Sequence, residues 1–434
     1  MRRTIGSRDS LSSSSSSSRR RALGALASLV SVSALAACSS LLGLTDPTTD
    51  DGVLGDGGPG GGDGSATGDG STGGGDGSTT DDGSAPGDAA GGDASCAPGA
   101  DFSSDKANCG RCGHSCLGGD CTAGVCQPVT LAVAQSNPFG VAVHGTRVYW
   151  TSFGANTVSM ADKADGKNAG PVAASGVSSP WGIRVDDAFV YWANNETSTG
   201  SIARCPLAGC GAAAPTKLVK ADEPTDIALF GARLYFTESN SGSVRAIDVA
   251  DGGAPLDLTG PTINRPFKLV TDGVYVYFTS NENILHSVKV TGGAAVDLVD
   301  AVDNSGIALD PATGTVFYTL TGNTGSITTV SKDGGPPTGF AGSQKNPLNV
   351  VVDANYVYWT DNGTVSSPAN ANDLLDGSVL ACARPGPCTK PIVLASAQHA
   401  ASGITIDDTA VYWTNAGAGG IGNGDGALMK VAKP

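Results

Sequence analysis

The sequence predicts an all-β chain whose main body is a seven-bladed β-propeller, closed by an N-terminal latch strand. A disordered Gly/Asp-rich tether and a small disulfide-rich module stand ahead of it. Three observations carry this. Seven aromatic pairs recur, Tyr149-Trp150, Tyr191-Trp192, Tyr235-Phe236, Tyr277-Phe278, Phe317-Tyr318, Tyr358-Trp359 and Tyr412-Trp413, at spacings of 42, 44, 42, 40, 41 and 54 residues. That period fits one four-stranded blade. Each pair closes an apolar β-run, and further strand starts follow at Gly200-Ser201, Gly242-Ser243, Gly325-Ser326 and Gly377-Ser378. Finally, the last repeat has only three strands, while an orphan strand stands before the first repeat.

Taken in order, residues 1–37 read as an export leader. Arg19, Arg20 and Arg21 precede the run from Ala22 to Ala37, which is too short and too rich in small residues to span a bilayer. Leu35-Ala36-Ala37-Cys38 resembles the bacterial lipobox. The resemblance implies cleavage before Cys38, a lipid on that cysteine and, with Ser39 rather than Asp next, the outer membrane or cell surface as destination. The membrane is then a partner only through acyl chains on Cys38, and the rest is soluble and tethered. An ordinary leader with an incidental cysteine is the plainer alternative.

Residues 38–95 form the tether. From Asp46 to Ser95 the chain is almost entirely Gly, Asp, Ser, Thr and Ala. Such a run buries too little apolar surface to offset its ordering entropy, so it is expected to be disordered and extended by its like charges. Gly62-Asp63-Gly64 and Gly75-Asp76-Gly77 lack the alternating ligands and closing carboxylate of a calcium loop. The formal net charge of −15 resides mostly here: residues 46–105 hold thirteen Asp and no Lys, Arg or Glu. No basic stripe exists anywhere, so nucleic acid is not an expected partner.

Residues 96–127 hold Cys96, Cys109, Cys112, Cys116, Cys121 and Cys126. Six cysteines in a small exported segment read as three disulfides, with fifteen possible connectivities. Cys109-x-x-Cys112 with Cys116 and His114 also has the spacing of a zinc knuckle, which an oxidising compartment disfavours. The run from Asn108 to Cys116, ending in Gly124-Val125-Cys126, resembles Stig1-type cysteine-rich modules, which implies a stapled spacer or adhesion role. Cys205/Cys210 and Cys382/Cys388 occupy equivalent third-to-fourth-strand turns and read as two local disulfides, leaving Cys38 as the odd cysteine.

Residues 128–434 are the propeller. In the second repeat Ile183 and Val185 alternate with Arg184 and Asp186 as an innermost strand. Phe189–Trp192, Ser201–Arg204 and Lys217–Lys220 follow as the second, third and outermost strands. One blade cannot bury both faces, so the aromatic pairs are expected to pack between neighbours. The orphan run Pro128–Gln135 mirrors the outermost strand Pro391–Gln398 and is expected to complete the last blade, hiding edges that would recruit other chains. A monomer is the corresponding expectation. Tyr358-Trp359-Thr360-Asp361 matches the YWTD motif, and Tyr412-Trp413-Thr414-Asn415 and Tyr149-Trp150-Thr151-Ser152 nearly match it. The domain thus resembles low-density-lipoprotein-receptor-type propellers and, more broadly, NHL-like ones; the resemblance implies extracellular protein binding and a ring usually of six blades. At the fourth motif position Ser152, Asn194, Glu238, Ser280, Leu320 and Asn415 depart from it.

Loops leading into the innermost strands and loops between second and third strands share one face. The first set places Phe139, Trp181, Thr225, Phe267, Ser305, Leu348 and Ser402 around the channel mouth, beside Asp226, Lys268 and Asn349. The second set offers Phe153, Glu196, Glu238, Glu282 and Asp361. Aromatics ringed by carboxylates suit a face that binds a protein or another extracellular ligand; equally, Phe139, Trp181 and Phe267 fold inward and plug the channel. No catalytic residue, resident metal or cofactor is assigned, although adjacent glutamates leave calcium open. The alternative is an exported propeller hydrolase or lactonase that gathers a divalent metal on these carboxylates. No Gly-x-Ser-x-Gly elbow occurs, and the histidines at 114, 144, 286 and 399 are scattered.

Overall fold

The computed structural model describes residues 96, 99–173, 175–250, 252–300, 306–364, 374–417 and 424–434. The leader, Cys38, the tether and Ser305 lie outside them. Every regular element among the described residues is a strand, and they form seven four-stranded antiparallel sheets plus one two-stranded ribbon. Blade 2 shows the plan, with Pro180–Val185 innermost, then Phe189–Asn194, Ser201–Pro206 and Thr216–Lys220 outward. Blade 7 comprises Ala401–Ile406, Ala410–Asn415 and Gly426–Ala432, and its fourth strand is Val129–Gln135 from the start of the domain. The latch pairs antiparallel with the third strand, Val129 opposite Lys430 and Gln135 opposite Gly426. The ring has seven blades, against the six usual in the family it resembles.

Adjacent residues of a strand point to opposite faces, so each aromatic pair serves two interfaces at once. The first aromatic of a blade shares a buried cluster with the second aromatic of the next: Tyr149 with Trp192, Tyr191 with Phe236, Tyr235 with Phe278, and Tyr277 with Tyr318. Phe317 with Trp359, Tyr358 with Trp413, and Tyr412 with Trp150 complete the circle. Removing one such ring is expected to cost about 3–5 kcal/mol.

Among the described residues, a hydroxyl then ties neighbouring innermost strands at five of the seven blade boundaries. Thr151 Oγ1 accepts the Gly140 N–H of its own blade and donates to Trp181 O of the next. Thr237 makes the equivalent bonds with Asp226 N and Phe267 O, and Thr414 with Gly403 N and Phe139 O. Thr360 donates to Ser402 O and Thr319 to Leu348 O. The inter-blade bond therefore rests on the residue after the aromatic pair, not on the variable fourth position. Blade 2 has Ala193 there, and Asn195 Nδ2 reaches Pro224 O instead.

The opposite face is locked by ions. An Asp at the first-to-second-strand turn accepts two backbone N–H groups and the hydroxyl of the Tyr five residues on, as at Asp353 with Tyr358 and Asp407 with Tyr412. A cation at the end of the following blade's third strand then pairs with it: Lys163–Asp407, Lys433–Asp353 and, at 3.7 Å, Lys332–Asp272; Arg384 pairs in the same way with Asp310, which accepts the Ala312 N–H and the Thr313 hydroxyl instead.

The cysteine module resolves to Cys96–Cys112, Cys109–Cys121 and Cys116–Cys126, and the two local pairs, Cys205–Cys210 and Cys382–Cys388, are also bonded. Thiols so engaged are not zinc ligands. The module lies against the end of the chain. His114 Nε2 contacts Lys433 O at 2.8 Å, and the Arg111 guanidinium donates to Pro434 O at 3.0 Å.

Candidate functional site at the channel mouth

Trp181 organises the mouth. Its ring lies 5.2 Å from Phe139, 6.1 Å from Phe153 and 5.9 Å from Phe267, the last two edge-on. Phe139 is 1% exposed and Trp181 9%, while Phe153 and Phe267 are half-buried against them. The rings therefore cap the channel and also present an apolar edge outward. The inward plug and the outward apolar edge are two sides of one cluster.

Beneath it, consecutive innermost strands carry Arg184, Asp226 and Lys268, all buried. Asp226 Oδ2 accepts the Leu269 N–H of the next blade at 3.1 Å. Burial pushes the Asp226 carboxyl upward, against the pull of the Lys268 and Arg184 charges. Burial also draws Lys268 down to about 7, with Asp226 opposing and Arg184 reinforcing the fall. Asn349 is fully buried, and its Nδ2 donates to Ser402 O across the blade 6–7 boundary.

The carboxylates of the outer loops do not converge. Glu196 Oε1 accepts the hydroxyls of Ser178 and Ser179 at 2.6 and 2.7 Å, beside a cavity of about 330 Å³ lined also by Asn194 and Lys217. Glu238 is buried and held by Arg245, Ser243 and the Asp222 N–H. Glu282 is exposed. Asp361 is buried, accepts the Lys345 N–H, and is pushed by burial up to about 6. Among the described residues, the single group of three possible ligand atoms within 4.8 Å is Cys109, Cys116 and Cys126, all in disulfides.

One arrangement was not anticipated. Ser280 Oγ lies 2.9 Å from His286 Nε2, and His286 Nδ1 lies 2.8 Å from Asp297 Oδ1. The order is that of a nucleophile, a base and an orienting carboxylate. Ser280, however, is fully buried, and the Asp297 side chain is 61% exposed. A carbonyl substrate cannot reach that hydroxyl, and His286 stacks on Phe278 at 5.0 Å, so the trio ties three strands of blade 4 together. The one trace of it in the sequence is the Ser280-to-His286 spacing, which no known motif marks.

The fold and this mouth define a seven-bladed β-propeller with a capped central channel. No protein-family model matches the chain, and no curated protein matches it in sequence. Among solved structures it is similar to catalytically inactive virginiamycin B lyase from Staphylococcus aureus with quinupristin, at 17% identity and TM-score 0.53, over 71% of this chain and 99% of that one. It is also similar to a streptogramin B lyase at 16% identity and TM-score 0.54, over 71% and 97% respectively. A chain of a nidogen–laminin complex aligns at 20% identity and TM-score 0.40, over 55% of this chain and 89% of that one. At these identities the likeness is one of fold.

Proposed function

We propose that the protein is a lipid-anchored cell-surface binding module whose aromatic channel mouth captures a protein or another extracellular ligand without catalysis. The observation that carries this reading is the position of the cysteine module. It contacts Lys433 and Pro434, where the third strand of blade 7 ends, on the face opposite the mouth. The module therefore docks behind the wheel, and the mouth, with Phe153 and Phe267 at its rim, is left uncovered by it. Glu196 and Glu238, already engaged by serines and by Arg245, are poorly disposed to gather a metal, which weighs against the hydrolase alternative.

The test is twofold. Labelling of growing cells with a palmitate analogue is expected to mark the chain and to fail in Cys38→Ala. The folded chain released from the membrane is expected to retain a ligand from the extracellular medium that a Phe153→Ser/Phe267→Ser variant does not retain. Equal retention by a stably folded variant would refute the mouth as the binding face.

A further inference from the structure

The second strand ends at Asp361 in blade 6 and at Asn415 in blade 7, and the groups around the two correspond. In each blade the tryptophan two residues earlier donates its indole N–H to a glutamine, Trp359 to Gln344 Oε1 at 3.0 Å and Trp413 to Gln398 Oε1 at 3.1 Å. In blade 7, Asn415 Nδ2 donates to that same Gln398 oxygen at 2.9 Å. Blade 6 has a carboxyl group where the amide stands.

Asp361 Oδ2 accepts the Lys345 N–H at 3.0 Å, as Asn194 Oδ1 of blade 2 accepts the Ser178 N–H at 3.1 Å. Lys345 directly follows Gln344, so Oδ1 falls where the Asn415 amide nitrogen lies, toward Gln344 Oε1. Asp361 Oδ1 is buried and lacks a hydrogen-bond partner among the described residues. Gln344 cannot turn to supply one. An indole N–H only donates, so the atom facing Trp359 is the amide oxygen, and Gln344 Nε2 is engaged by Gly342 O. Two acceptors oppose each other there unless a proton stands between them.

We propose that folded Asp361 keeps its proton, donating Oδ1–H to Gln344 Oε1 as Asn415 donates its amide, and that this proton works a latch on the mouth-side loops of blade 6. Those loops are joined around it. Asn362 N bonds Asn346 O at 3.0 Å, Gly363 N bonds Lys345 O at 3.1 Å, and Asn362 Nδ2 reaches Ala401 O of blade 7 at 3.2 Å. Loss of the proton leaves a carboxylate oxygen against a carbonyl oxygen in a buried site, which loosens the loops. Asp361 is 3% exposed, and burial pushes its carboxyl from 3.8 up to about 6, against the pull of the Lys345 N–H. Among the described residues, the charged groups acting on it are Lys345, which lowers it, and Asp376, which raises it; these two pair at 3.0 Å. Because the folded value is raised, the contribution is complete below about pH 4 and is lost as pH rises through about 6. The latch does not depend on what the mouth binds.

Asp361→Asn supplies the donor at every pH. Urea unfolding of wild type and variant is expected to show the gap between them widening in the variant's favour by up to about 100-fold in the unfolding equilibrium constant between pH 4 and 8. Other groups that titrate in this range are common to both chains and cancel. Peptide-resolved hydrogen exchange, corrected for its intrinsic pH dependence, is expected to show residues 344–363 losing protection above pH 6 in wild type and keeping it in the variant. A gap that does not change with pH, or that widens in favour of wild type, would overturn the proton. A widening gap with identical exchange in the two chains would overturn the latch. Failure of Asp361→Asn to fold would also count against the proposal, since Asn415 shows that an amide fits this setting.

Discussion

Asp407→Asn tests the ionic lock at the point where the ring closes. Asp407 belongs to blade 7, and Lys163, 2.7 Å from its Oδ2, belongs to blade 1. Burial alone would raise this carboxyl; the Lys163 ammonium and the N–H groups of Thr409 and Ala410 outweigh it and hold the group at about 2, against an ordinary 3.8. With the side chain 15% exposed, solvent screening removes little of this. At 1.36 kcal/mol per pH unit the difference is worth roughly 2 kcal/mol. Because the folded value is depressed, this contribution is complete above the unfolded pKa near 4 and disappears as pH falls from about 4 to 2. Urea unfolding of wild type and Asp407→Asn at pH 7, 4 and 2 measures it directly. The stability gap is expected to be about 2 kcal/mol at pH 7 and to close by pH 2. A gap that persists unchanged at pH 2 would show that the loss comes from packing or turn capping rather than charge, and the argument for the clasp would fail.

Other consequences can be read from single residues. Thr360→Val removes the bond to Ser402 O and is expected to cost about 1–3 kcal/mol in urea unfolding. Ala193→Thr would install the missing inter-blade hydroxyl in blade 2, and is expected to raise stability by about 0.5–1.5 kcal/mol unless the extra atoms clash. Burial lowers the His286 pKa, against the pull of Asp297, so the folded state disfavours the imidazolium. The stability gained from a neutral His286 is present above the unfolded value near 6.5 and declines below it. Urea midpoints between pH 8 and 5 should show a slope that His286→Phe flattens.

The ring was legible because its signal is periodic. Every aromatic pair sits where the sequence places it, each ring facing one neighbour, and the latch is visible as a strand without a repeat. Two further periodic signals were present but have no reputation as motifs. The Asp five residues before Tyr191, Tyr277, Tyr358 and Tyr412 marks the turn that accepts the phenol. The Gln fifteen residues before Trp150, Trp359 and Trp413 marks the acceptor of the indole N–H. The mouth was legible only in part. Loop order alone places Phe139, Trp181 and Phe267 together, but the depth of each side chain depends on how closely neighbouring backbones approach. Asp226, Lys268 and Asn349 accordingly sit under the rim, each one position further along its innermost strand than Phe139, Trp181 and Phe267 are along theirs. Disulfide pairing in the module depends on three-dimensional proximity and left no trace in spacing.

The latch itself can be tested within one strand. Leu131 is 6% exposed and lies in the cluster of Trp150, Tyr412 and Leu428, so it joins blades 7 and 1. Val133 is 68% exposed on the same strand. If the strand closes the ring by burying one face, Leu131→Ala is expected to cost about 2–5 kcal/mol, and Val133→Ala less than about 0.5. Loss of the latch also frees the edge of Gly426–Ala432, whose Met429 and Lys430 pair with Thr130 and Val129. An unpaired edge recruits other chains. Leu131→Ala should therefore show concentration-dependent association by light scattering as it approaches its unfolding midpoint, while Val133→Ala remains monodisperse. Equal stability and equal dispersity for the two variants would mean that Val129–Gln135 lies on blade 7 without holding it, and closure would then rest on the Lys163–Asp407 clasp, the Thr414–Phe139 bond and the aromatic interface.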